Sequence, residues 1–415
     1  MKTRFSLLPV ALATAAALSV SALAGEVEVL HWWTSGGEAQ SAAELKSLIQ
    51  GKGHTWKDFA VAGGGGDNAM TVLKTRVVSG NPPTAAQVKG PAIQEWGDEG
   101  VLANLDAVAN AEKWDSLLPP VIANIMKYRG HYVAVPVNVH RVNWMWINPA
   151  VFAKAGVKPP KTWDEFPAIA EKIQKAGFIP VAHGGQPWQD DTLFESIALG
   201  IGGADYYKKA FIKLDPATLG SATTLKAFET LRTVRKYMDK DMPNRDWNLA
   251  TGMVINGKAA MQFMGDWAKG EFTAARKVAG KDYQCLAAPG TDNAFTFNVD
   301  SFIVFSQKDK GSKAVNDFAQ TVMAPQFQES FNLRKGSIPV RMHLNMDKFD
   351  DCAKRSEADF VATSKSGGLV PSFAHEMAMS SAVKGAVQDL VSQFMNSNMT
   401  PKDAVAKLLI AAKAK

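Results

Sequence analysis

Two adjacent indoles and a carboxylate five residues on carry the first chemical signal in this chain. Trp32 and Trp33 stand side by side, and Thr34-Ser35-Gly36-Gly37-Glu38 follows. A flat indole suits the apolar face of a pyranose, whose C–H groups sit against the π cloud. A carboxylate is a planar acceptor for adjacent hydroxyls. Neighbouring strand residues point to opposite faces, so burying both indoles in one core is awkward unless they lie beyond a strand end. Glu38 also fits a capping box with Ser35 as N-cap, and the two roles can be shared. A second polar pair, Asn298 and Asp300, lies two residues apart. That spacing puts amide and carboxylate on the same side of an extended chain, or else makes an Asx turn. Lys89 ends a short apolar run at 85–88, either as a solvated loop lysine or as a donor facing a crevice. His375 follows Pro371 near an expected helix start, where a lone histidine is a solvated or capping residue as readily as a ligand contact.

Catalytic patterns are absent. The sequence has no G-x-S-x-G elbow and no H-E-x-x-H, and its seven histidines show no metal-ligand spacing, so neither metal nor cofactor is expected. Gly63-Gly64-Gly65-Gly66-Asp67-Asn68 invites a phosphate-loop reading. It lacks the Gly-Lys-Ser/Thr ending, and no acidic residue between Asp67 and Glu95 is placed to hold a ribose. A turn before a helix over 68–79 accounts for it. The rival to a binding protein is a secreted glycosidase with Glu38 and Asp300 as its carboxylate pair. Against it, Glu38 opens a helix, and nothing marks either residue as held in an apolar pocket that would raise its pKa.

The elements that must position these residues alternate between strand and helix. Residues 26–30 have the period-2 pattern of a strand and 39–49 a helical one, so the indoles fall at a strand-to-helix turn, a usual site location in α/β proteins. Further strands are expected over 54–62, 85–88, 143–148, 178–183, 261–264 and 302–305. The stretch 130–139 is interrupted by Pro136, a poor central-strand residue but a good crossover between lobes. Trp144 and Trp146 share one strand face. Thr162 and Glu165 form a capping box opening a helix over 166–177. Helices are also expected over 190–200, ended by Gly200, over 206–211 and 225–238, and from His375; Thr400-Pro401 starts a last one.

Composition bounds the class. Lys2 and Arg4, an apolar run over 5–23 and Ala22-Leu23-Ala24 read as a secretory signal peptide cleaved after Ala24, which would place residues 25–415 outside the cytoplasm. No later run approaches the roughly 20 apolar residues of a membrane span. The remaining length suits two large lobes or three small ones with an ample core. The two cysteines, Cys285 and Cys352, permit one disulfide in an oxidising compartment, stabilising by roughly 4 kcal/mol in the loop-entropy account; the alternative is two buried thiols. Basic residues exceed acidic ones by six over the whole chain, but they are interspersed, with no basic tract, so a nucleic-acid partner is not indicated.

One family matches these pieces in order. Val133-Ala134-Val135-Pro136-Val137, Trp146-Ile147-Asn148-Pro149 and Pro159-Pro160-Lys161-Thr162-Trp163-Asp164-Glu165-Phe166 resemble the carbohydrate-binding proteins of ABC importers. So do Gly252 to Met261, Gly265-Asp266-Trp267, Ala314 to Phe318 and Lys335-Gly336-Ser337-Ile338-Pro339-Val340, collinearly over the whole of 25–415. The opening Trp32-Trp33-Thr34-Ser35-Gly36-Gly37-Glu38 is most similar to the glucose/mannose-binding branch. One departure is Pro83-Thr84, where the family commonly carries Pro-Asp.

The resemblance implies an α/β, two-lobed periplasmic binding protein fold with three hinge crossovers and ligand in the interlobe cleft. The first lobe would hold 25–135 plus 286–322 and the second 138–284 plus 325–415. It implies a periplasmic monomer that captures a neutral monosaccharide, glucose first, with another hexose or a small oligosaccharide as the alternative, and passes it unchanged to an inner-membrane ABC permease. Trp32 and Trp33 would wall the sugar and Trp267 cover it. Glu38, Asn298 and Asp300 would take hydroxyls, and Lys89, Lys335, Arg141 and His375 would donate. Arg141 and His375 enter on position near a crossover or loop.

Overall fold

The computed structural model describes residues 25–306 and 312–414, so the expected signal peptide lies outside the described residues. Among the described residues there are fourteen strands: β1 (Glu26–His31), β2 (Thr55–Ala60), β3 (Ala85–Val88), β4 (Lys127–Tyr128), β5 (His131–Tyr132), β6 (Ala134–Pro136), β7 (His140–Arg141), β8 (Trp144–Ile147), β9 (Ile179–Val181), β10 (Ala259–Phe263), β11 (Gln284–Ala287), β12 (Phe295–Asn298), β13 (Ser301–Val304) and β14 (Leu369–Pro371).

They build two lobes and a junction. The first lobe's sheet runs β2-β1-β3-β13-β6, with β1 parallel to β2 and β3, and β13 antiparallel to β3 and β6. Val27, Val29 and Leu30 bury completely in the first-lobe core, which Leu45 and Ile49 of the helix Gly36–Gly51 also enter. The second lobe's sheet runs β11-β8-β10-β9, and Phe166, Phe194 and Phe228 fill its core. Three short strands, β14-β12-β7, form a small sheet where the chain passes between lobes. Pro136 sits on the edge strand β6, where its missing N–H costs nothing.

Each of the three crossing segments contributes a polar residue to one hydrogen-bonded knot. Asn138 Nδ2 donates to Asp300 Oδ2 (3.3 Å) and to Ser337 Oγ (3.1 Å), and Asn138 Oδ1 accepts the Asp300 N–H (3.1 Å). Two crossings fall later in the chain than the expected boundaries at 286 and 325. β11 pairs with β8, Cys285 opposite Trp146, which keeps that strand in the second sheet. The helix Pro325–Lys335 belongs to the first-lobe core, because Phe327 and Phe331 bury there and the Phe331 ring meets Trp33 at 4.9 Å.

Local signals act as their chemistry requires. Thr162 and Glu165 exchange hydrogen bonds (3.3 and 3.4 Å), and the Thr400 hydroxyl accepts the Asp403 N–H. The helix that starts at Pro187 breaks not at Gly200 but three residues on, at Gly203 (φ +74°), before a further short stretch to Tyr207; a side chain at Gly200 would strike the Pro289 carbonyl, so this glycine serves a close approach. The final helical pair starts at Ser381, capped by Ser380, not at His375, which lies in a turn. Thr84, at the family's Pro-Asp position, uses its hydroxyl to accept the Glu28 N–H and so pins β1. Cys285 and Cys352 are joined, tying β11 to the helix Asp351–Ser366.

Candidate functional site

A cavity of about 260 Å³ opens between the lobes. Nine of the ten expected binding residues line it: Trp32, Trp33, Glu38, Lys89, Trp267, Asn298, Asp300, Lys335 and His375. Arg141 does not, and its placement is a correction. His140 and Arg141 are consecutive on β7, so their side chains take opposite faces. His140 lines the cavity, while Arg141 is fully buried on the other side, bonded to Asp359 (2.6 Å) and lying 4.1 Å from the Trp144 ring centre. Proximity to the crossover was the right signal attached to the wrong neighbour.

The indoles are walls with glycine backing. Trp33 is 2 % exposed and packs by its ring against Phe331 and Phe302, so it is a core residue that offers the cavity little more than an edge. Trp32 is only half-buried. Behind it lies the glycine turn: a Cβ on Gly66 (φ +118°) would stand 3.2 Å from the Trp32 ring. One on Gly65 (φ +60°) would stand 2.9 Å from the ring of Trp188, across the cleft. The four-glycine run therefore exists to let backbone lie against two aromatic rings. Trp267 meets His140 and His375 edge-on, at 5.2 and 4.9 Å.

Trp188, Trp247, His140 and Gln186 line the cavity without having been singled out from sequence. Trp188 had a legible signal. After β9, Gly184-Gly185-Gln186-Pro187-Trp188 again joins a strand to a helix through paired glycines and a tryptophan, with the glycines here preceding the ring.

Charges in the cavity are paired inside the protein. Asp300 accepts from Gln87 Nε2 (3.0 Å) and from His140 Nε2 (2.9 Å), and His140 Nδ1 bonds Asp266. Burial would lower His140, but the two aspartates on its two nitrogens hold it above its ordinary value. Burial would likewise raise Asp300, yet His140, Lys335 and Lys89 hold it well below the carboxylate range. Gln87 also accepts the Trp32 N–H (3.3 Å), coupling the first indole to this network. Glu38 does not make the capping box: Ser35 gives no side-chain cap, and Glu38 instead takes a 2.7 Å bond from Lys335. The free N–H of Gly37 is met from the second lobe by Glu271 at 2.9 Å. Lys89 faces Glu376 at 3.9 Å and lies 5.0 Å from the Trp32 ring centre.

His375 is neutral, because burial and the nearby Lys89 and Lys384 push it well below its ordinary value. His31 is pushed down to about 4 by burial and uses Nδ1 to accept the Trp33 N–H. Three polar atoms around the cavity, Trp33 Nε1, Trp267 Nε1 and Asn298 Oδ1, have no partner among the described residues. No group of three or more His, Cys, Asp or Glu among the described residues is arranged to hold a metal.

Comparison with known proteins agrees with this architecture. Residues 36–329 match the profile of the bacterial extracellular solute-binding proteins. A probable sugar-binding periplasmic protein of Brucella melitensis is 48 % identical over 388 residues, covering 94 % of this chain and 92 % of its own. One from Rhizobium meliloti is 46 % identical, covering 96 % of each. Among solved structures, a chitin oligosaccharide binding protein superposes with a TM-score of 0.80 at 20 % identity, over 94 % of this chain and 98 % of its own, a likeness of fold. The chain belongs to the bacterial extracellular solute-binding protein family.

Proposed function

We propose that this protein captures a neutral monosaccharide, glucose first, in the periplasm, closes its lobes over the ring by hinge motion, and hands it unchanged to an inner-membrane ABC permease. The observation that carries the reading is the set of unpartnered polar atoms around an aromatic cavity. A buried donor or acceptor without a partner costs about 1–3 kcal/mol, which a hydroxylated ligand between indole walls would relieve. The cavity volume lies just under the ~300–1,000 Å³ of small-molecule sites, which favours one ring over a long oligosaccharide. The names carried by the Brucella and Rhizobium relatives support sugar as the class and the periplasm as the place.

The hydrolase reading is disfavoured by its own carboxylates. Asp300 is held ionised by His140, so it has no proton to give, and Glu38 is spent on Lys335. A tryptophan-fluorescence titration with a panel of mono- and disaccharides tests the proposal: quenching is expected at micromolar hexose. By calorimetry Asp300→Ala should weaken binding at least tenfold, about 1.4 kcal/mol. No binding by the wild type, or turnover of glycosides abolished by Glu38→Gln, would overturn it.

A further inference from the structure

The helix Pro187–Tyr207 delivers Trp188 to the cavity, but the residues at i+4 and i+7 on the same face, Thr192 and Glu195, are polar and fully buried. A buried carboxylate is expensive unless hydrogen bonds surround it. Among the described residues Glu195 has no salt-bridge partner. It accepts instead from Tyr207 Oη (2.5 Å), Ser372 Oγ (2.7 Å) and the backbone N–H groups of Phe373 (2.6 Å) and Ala374 (3.3 Å). Three of those four donors belong to the turn that ends in His375. Ser372 Oγ in turn accepts the His375 N–H at 3.1 Å.

The imidazole is held by the second residue. Thr192 Oγ1 donates to the Trp188 carbonyl (2.7 Å), so toward His375 Nε2, 2.9 Å away, its oxygen can only accept. That fixes the proton on Nε2 and leaves Nδ1 with a lone pair. His375, expected from sequence to be a donor, becomes an acceptor.

We propose that Glu195 and Thr192 are positioning residues: they lock the Ser372–His375 turn and the His375 tautomer, so that the ring presents Nδ1 as an acceptor for a sugar hydroxyl. Neither residue touches the cavity; both act through His375. The inference deepens the sugar-binding reading and rests on it for the ligand.

The test uses Glu195→Gln, Thr192→Val, His375→Ala and the two double variants in the full mature chain. Calorimetry with D-glucose, D-galactose and D-mannose reads binding, and thermal melts read folding. Glu195→Gln should weaken the sugar that binds at least tenfold, and Thr192→Val three- to tenfold. In the His375→Ala background each effect should shrink below twofold, while the melting shifts persist. The ¹⁵N signature of the His375 ring, which needs no ligand, should be a pure Nε2–H tautomer in the wild type and a mixture in either variant. Should Glu195→Gln fail to fold, the nearly isosteric Thr192→Val carries both readouts. Unchanged affinity in folded variants, losses equal in both backgrounds, or an unchanged ring signature would overturn the positioning role. A wild type that binds none of the sugars would overturn the functional reading instead, and the ring signature would still decide the tautomer.

Discussion

Replacing Gly90 by alanine should hold the cleft open without substituting any residue that lines it. Gly90 follows β3 at φ +50°, and a Cβ built there stands 2.0 Å from the Glu376 carbonyl oxygen and 2.8 Å from the Met377 Cα. Real Cβ contacts essentially never fall below 3.0 Å, so first-lobe and second-lobe backbone must part by about 1 Å. Neither partner is a side chain that can swing aside. Around this approach lie the contacts that join the lobes: Lys89 to Glu376 (3.9 Å), Lys384 and Gln388 to Asp67 (3.1 and 3.0 Å), and the Ser381 N–H to Glu95 (2.9 Å). Losing two or three of them at about 1 kcal/mol each costs the closed state about 2–3 kcal/mol. Because ligand must select that state, Kd should rise about 30- to 150-fold. Calorimetry measures the affinity, and X-ray scattering at saturating sugar should give a larger radius of gyration than wild type. Gly130→Ala is the control: φ is +87° and no atom lies within 4 Å, so it should cost about 1 kcal/mol of stability and leave affinity alone. Wild-type affinity in Gly90→Ala, or an equal loss in Gly130→Ala, would refute the steric argument.

Trp33→Ala should destabilise the fold by about 3–5 kcal/mol, as expected for a large core deletion, and chemical denaturation should show it. Trp32→Ala should barely move the midpoint and should lower sugar affinity. Cys285→Ser with Cys352→Ser opens a loop of sequence separation 67 and should cost up to about 4 kcal/mol, seen equally as a lower Tm of the wild type in reductant; sugar affinity should hold, since neither cysteine lines the cavity. His140 and Asp300 set a pH window. The raised His140 contributes stability that is complete below pH ~6.5 and is lost as pH rises through its raised pKa; the lowered Asp300 contributes above pH ~4 and loses it as pH falls. The Tm deficit of His140→Gln should therefore be largest between those limits and shrink on the alkaline side. A deficit constant from pH 4 to 10 would contradict this.

Much of the architecture was legible because its signals are local. β1 reads as alternation, the Thr162/Glu165 box as a spacing, and Thr400-Pro401 as a helix start; each is decided by a few neighbouring residues. What was not legible depends on distant partners. Ser35 and Glu38 have the capping-box sequence, but Lys335, nearly three hundred residues on, competes for the carboxylate and wins through a charged bond at 2.7 Å. Gly200 reads as the helix stop, yet the break falls at Gly203, and only the distant Pro289 carbonyl shows why position 200 must lack a side chain. The helix Pro325–Lys335 looks as though it belongs past the last crossover, and only the contact between Phe331 and Trp33 assigns it to the first lobe. At the site the shortfall was one of parity. His140 and Arg141 are equally polar and equally near the hinge, and nothing local says which face of β7 the cleft will occupy.

On the sugar-binding reading proposed above, the same geometry would let a site with this many ionic groups take an uncharged ligand. Glu38 is matched by Lys335, Lys89 by Glu376, and Asp300 by His140, which is itself matched by Asp266. Asp246, at the cavity lining, takes a 2.6 Å bond from Gln186. A phosphate or carboxylate that drew Lys335 from Glu38 would leave that buried carboxylate unpaired, a loss of several kcal/mol that its own Coulomb gain must first offset. A hydroxyl makes no such demand. It can accept from a lysine and donate to an aspartate while both stay paired, because each charged atom keeps spare hydrogen-bonding capacity. On the proposed reading, internal pairing would disfavour charged solutes and leave discrimination among neutral ones to the indole walls.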